Sequence, residues 1–149
     1  SRKDLIEERF LTLLLKNRHC LEKIGEADFE YFSPAGREII SLITKSKDNE
    51  EMFKNIVSDT LMSERLSQFI LRSEILGEIS PKDQDLDFCD CLREIKNIEI
   101  KGQLEMISQE LSAAEIKKDD EESVSLLEKF RQLAQKLSEN NSNPSKKNG

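Results

Sequence analysis

After Pro81 the chain runs to Lys118 without another proline and with a single glycine, Gly102. The stretch predicts a helix of about 35 residues, on the order of 50 Å long, which exceeds what a small bundle of short helices covers along its length. At 100° per residue, Phe88, Leu92 and Ile95 fall within about 60° of one another. Ile100, Leu104, Ile107, Leu111 and Ala114 gather within about 80° on nearly the opposite side. A helix packed on one partner has no reason to change face. Its N-terminal part is therefore expected to pack on a bundle and its C-terminal part on another element, with a bend or break near Gly102.

The preceding residues supply the bundle. Leu5, Ile6, Phe10, Leu13 and Leu14 share one broad face and Leu11 and Leu15 lie opposite, so the first helix is apolar nearly all round and is expected to be central. A break near Asn17 is followed by Cys20, Leu21 and Ile24, with Gly25 as a helix stop. Phe29, Tyr31 and Phe32 are read as core. Ser33-Pro34 gives an N-cap and a first-turn proline to a helix carrying Ile39, Ile40, Leu42 and Ile43. Asp48 with Glu51 predicts a capping box for a helix burying Met52, Phe53, Ile56 and Val57. A fifth helix, from about Met62 to Leu76, presents Leu66, Phe69, Ile70 and Leu76 and stops at Gly77.

Beyond the long helix, Lys117-Lys118-Asp119-Asp120-Glu121-Glu122 reads as a polar connector, its cations suited to a helix end and its acids to a helix start. A last helix, about Glu121 to Leu137, carries Leu126, Phe130, Leu133 and Leu137 on one stripe with Leu127 and Ala134 alongside. The fold class expected is all-α: a compact multi-helix bundle (1–102), a C-terminal antiparallel helical hairpin (103–138) and a disordered tail (139–149). A lone pair of short helices cannot hide a stripe and its shoulders, because each covers only one side of the other. The uncovered remainder binds a partner, folds back on the bundle or self-associates.

Composition excludes several function classes. Five glycines, three prolines and 5% aromatic residues are too few turn formers for a β-sandwich or barrel. Charged residues are as abundant as hydrophobic ones, 36% each, and the longest uncharged run is six residues, so no membrane span is expected. The N-terminus lacks the apolar run of a signal peptide, which suggests an intracellular protein, and the start within a helical pattern suggests a fragment. A net charge of −7 argues against nucleic-acid binding as the main task. Cys20, Cys89 and Cys91 lack zinc or redox spacing and are expected to be reduced thiols. His19 abuts Cys20 on adjacent helical positions whose side chains point about 100° apart, a poor dyad. No phosphate loop, HExxH or EF-hand is present, and the Asp119–Glu122 acids are read as a solvated helix start rather than a metal site. Neither a cofactor nor a metal is expected, and the chain is not expected to be an enzyme.

The order of parts, with Glu8-Arg9-Phe10-Leu11-Thr12-Leu13-Leu14-Leu15 at one end and Leu111-Ser112-Ala113-Ala114-Glu115 through Ser125-Leu126-Leu127-Glu128-Lys129-Phe130-Arg131-Gln132-Leu133 at the other, resembles the C-terminal helicase-binding domain of bacterial DnaG-type primases. The resemblance spans about residues 3 to 138. It implies a cytoplasmic module that docks on the N-terminal collar of the DnaB-type replicative helicase, recruiting primase while each partner modulates the other. The family's zinc-binding and polymerase domains have no counterpart in these residues, so primer synthesis is not expected of this chain. Leu127, Phe130, Ala134 and Leu137 are the expected helicase-binding anchors, with Lys129 and Arg131 as rim charges. A helical adaptor, or a helicase-collar-like interaction domain without a primase parent, is the alternative.

Overall fold

The computed structural model describes residues 1–55, 60–77 and 80–142. Every regular element among them is helical: α1 (Arg2–Lys16), two 3₁₀ segments (Arg18–Lys23 and Glu26–Tyr31), α2 (Pro34–Lys45), α3 (Asn49–Asn55), α4 (Thr60–Ile75), α5 (Pro81–Lys117) and α6 (Asp120–Ser142). The all-α expectation holds. Ile56 and Val57, expected on a buried stripe, lie outside the described residues. The chain forms two compact units, Ser1–Leu92 and Arg93–Gly149. Of the bend or break expected near Gly102 there is no break, since helix α5 continues through that residue. A single glycine costs a helix only about 1 kcal/mol, which the surrounding turns of a long helix absorb.

In the first unit α1 is the central helix. It packs against α2, α4 and the first 3₁₀ segment, and six consecutive residues, Phe10 to Leu15, are buried. One of the six, Thr12, satisfies its hydroxyl by donating to the Glu8 carbonyl at 2.8 Å, which lets a polar side chain occupy an apolar surround. The Phe10 ring stacks on Phe88 at 4.4 Å between centroids and tilts against Phe32 at 4.9 Å, so the start of α5 and the segment before α2 meet on one α1 side chain. Leu5 departs from expectation: it shares the apolar face yet is exposed.

Side-chain caps fix the boundaries. The Ser33 hydroxyl accepts from the Gly36 N–H at 3.0 Å and Pro34 opens α2, as expected. The Asp48 carboxylate accepts from the Glu51 N–H at 2.8 Å, but Glu51 reaches back to the N–H of Lys47, one residue beyond a regular capping box. Gly77 ends α4 in the left-handed conformation, φ +74°, where glycine carries no steric penalty. Gly25 behaves otherwise. Its φ is −86° and its N–H donates to Asp28 at 2.8 Å, so it opens the second 3₁₀ segment and does not act as a left-handed stop.

In the second unit α5 ends in a Schellman turn, with Asp119 N–H bonded to Ala114 O at 3.0 Å and Lys118 N–H to Glu115 O at 3.1 Å. Lys118 occupies the left-handed position, φ 57°. Asp119 then caps α6 by accepting from the Glu122 N–H at 3.1 Å, so two residues reverse the chain. The far end of α6 returns to α5: Asn97 Nδ2 donates to Asn141 Oδ1 at 2.8 Å, and Asn140 Nδ2 donates to Asn97 Oδ1 at 2.8 Å and to the Arg93 carbonyl at 3.0 Å. Asn97 and Asn141 stand equally far along the chain from Asp119. The pairing thus reaches past the expected 103–138, and residues 139–142, expected in the tail, are the last of α6. Residues 143–149 lie outside the described part.

Candidate protein-interaction surface

Few apolar residues of α5 beyond Arg93 and of α6 are fully covered. Ile100, Ala114 and Leu126 are buried, while Leu104, Ile107, Leu111, Leu133, Ala134 and Leu137 are only half-buried. Two helices cover one side of each other, and the apolar residues just off that side stay in water. On α6 these are Val124 at 67% exposure, Leu127 at 52% and Phe130 at 37%. On α5, Met106 and Ile116 are exposed.

The six residues expected to bind a partner divide accordingly. Leu127 and Phe130 are exposed, Ala134 and Leu137 are half-buried beside the interface, and Lys129 and Arg131 are exposed. Arg131 is held by Glu128 through bonds of 2.8 and 3.0 Å, one turn away. The reading from sequence missed Val124. It stands outside the Leu126 stripe, and only its three-residue spacing from Leu127 links it to the exposed row. Ile116, one residue before the C-cap of α5, was missed for the same reason.

The first unit holds a second apolar surface. A cleft of about 530 Å³ between α1 and α4 is lined by Leu5, Thr12, Ile75 and Leu76, with Glu8, Arg9 and Arg72 around them. Its charged groups are paired: Arg72 with Glu8 at 3.3 Å inside the cleft, and Arg9 with Asp87 outside it, donating through Nε at 3.2 Å as well as through a shorter Nη2 contact. Leu71 and Ile75 on α4 are exposed.

Two of the three thiols, Cys20 and Cys91, have the surroundings of structural groups. Cys20 and Cys91 are buried, and burial, reinforced by the neighbouring Asp85 and Asp87 carboxylates, pushes them up to about 11 and about 12 respectively. A thiol that stays protonated is a poor nucleophile and metal ligand. Cys20 Sγ faces Asp85 at 3.7 Å, and His19 is exposed. Among the described residues no three His, Cys, Asp or Glu side chains gather as metal ligands, and no helix is long and apolar enough to cross a membrane. No family model, curated protein or solved structure matches this chain.

Proposed function

We propose that the chain is the helicase-interaction module of a bacterial DNA primase, docking through its last two helices on the N-terminal collar of the hexameric replicative helicase. The observation that carries the reading is the exposed apolar edge of α6, with Leu127 and Phe130 in water beside the buried Leu126. Exposed large apolar side chains in a row mark a surface that is covered in the working assembly. The ordering of α5 and α6 by caps at one end and an asparagine cluster at the other presents that edge on a preformed helix pair, as helix-in-groove recognition requires. The chain acts by binding, and the chemistry belongs to other parts of a primase.

Titration of the full chain against the helicase collar tests this. Phe130→Ala is expected to weaken binding by about 2–4 kcal/mol, as central aromatic anchors do, whereas Lys129→Ala at the rim is expected to cost under about 1 kcal/mol. Circular dichroism controls for loss of the helix pair. Absence of binding by the parent chain overturns the reading. Full affinity of a helical Phe130→Ala, together with loss of binding on a change in the first unit, moves the contact away from α6. The exposed Leu5, Leu71 and Ile75 favour a second reading, an adaptor that uses the α1/α4 cleft, and the same titration with Ile75→Ala decides it.

A further inference from the structure

We infer that the partner-facing row is the three-spaced ridge Val124, Leu127 and Phe130, and that it fits an apolar protein groove flanked by lysines and arginines; this rests on the helicase reading and specifies the chemistry of that contact. Three residues turn a helix by 300°, so each step of the row shifts about 60° around α6, and the row crosses the helix obliquely. Exposure falls along it from 67% at Val124 to 52% at Leu127 and 37% at Phe130. The row therefore rises from the side of the buried Leu126 into solvent as it approaches the turn; Leu137, half-buried and about 20° from Leu126, lies off it, whereas Ala134, half-buried and about 20° from Leu127, lies on its side of the helix.

The surroundings of the exposed end are acidic. Between residues 115 and 131, Glu115, Asp119, Asp120, Glu121, Glu122 and Glu128 outnumber Lys117, Lys118, Lys129 and Arg131, a local net charge of −2, and all ten side chains are exposed. The α6 N-terminus offsets roughly half a charge, so the surface stays negative. Like charges across an interface are repulsive, which disfavours a second copy of this chain as the occupant. The same sign repels nucleic-acid phosphates. An apolar groove with a basic rim satisfies both halves of the surface.

The test uses the full chain and the helicase collar at about 50 mM and about 500 mM salt, where screening lengths differ severalfold. Val124→Ala improves helix propensity while removing the row's outermost apolar group, so about fivefold or greater weakening, with helicity retained, supports the row. Glu121→Gln with Glu122→Gln is expected to weaken binding about threefold or more at low salt, with the gap closing at high salt. Lys136→Gln serves as the distant control. Binding by the parent chain that Val124→Ala leaves unchanged, or that the glutamine pair strengthens, overturns the inference while the helicase reading stands. Failure of the parent chain to bind overturns both, and dimerisation through Val124 at micromolar concentration replaces the basic groove with a second copy.

Discussion

A methyl group built on Gly36 would lie 2.0 Å from Glu7 Oε1 and 2.8 Å from its Cδ, whereas one built on Gly102 would meet nothing within 4 Å. Glu7 is buried, and its carboxylate accepts from the Ser33 N–H at 3.2 Å and from the Ser33 hydroxyl, binding the start of α2 to α1. Gly36→Ala must displace that carboxylate. Losing its bonds costs about 1–3 kcal/mol and outweighs any propensity gain in the first helical turn, so a net loss of about 1–2 kcal/mol is expected in denaturant titration. Gly102→Ala is expected to gain about 0.5–1 kcal/mol by the same measurement. The buried thiols give a pH signature. Their folded values, about 11 and about 12, exceed the ordinary value of 9.0, so the folded state keeps its thiol protons where the unfolded chain loses them. Their contribution is complete below pH 9 and is lost as pH rises toward 11–12. Denaturation midpoints measured from pH 8 to 10.5 are expected to fall more steeply for the parent chain than for Cys91→Ala.

At the scale of elements, much of the first unit's definition comes from side chains that reach across to helix ends. Arg18 Nη1 donates to the carbonyls of Ile43 at 3.1 Å and Ser46 at 2.8 Å, and Nη2 donates to Asn49 Oδ1 at 3.0 Å. One guanidinium thus neutralises the C-terminus of α2 and holds the start of α3. Arg18→Ala is expected to destabilise the chain by about 1.5–3 kcal/mol, and Arg18→Lys to recover only part, since an ammonium lacks the planar fork. Urea titration of the three proteins checks the order. The ends of α2 and α4 were legible in sequence from Ser33, Pro34 and Gly77, because caps act over three or four residues. Arg18, 25 to 31 residues from its acceptors, carried no such signal, and neither did Glu7.

For the whole molecule, the long α5 belongs to both compact units, Ser1–Leu92 and Arg93–Gly149. Phe88 and Leu92 are buried in the first unit, and Ile95 and Ile100 are buried beyond the boundary. A chain ending at Gly102 retains every residue of the first unit. It is expected to unfold in one cooperative transition by circular dichroism, and a broad, non-cooperative melt refutes its independence.

Helical period, capping residues and the poverty of glycine and proline determined by themselves that this chain is all-α, where most helices begin and end, and that α1 is central. Those signals arise between residues three or four apart, and a linear text preserves them. Tertiary structure alone decided that Leu5 stays in water, that α5 passes Gly102 unbroken, that Asn97, Asn140 and Asn141 close the far end of the helix pair, and that Val124 heads the exposed row. Whether an apolar side chain is covered depends on which distant segment arrives beside it. Periodicity assigns each residue to a face of its helix, and packing alone determines how much of that face is covered.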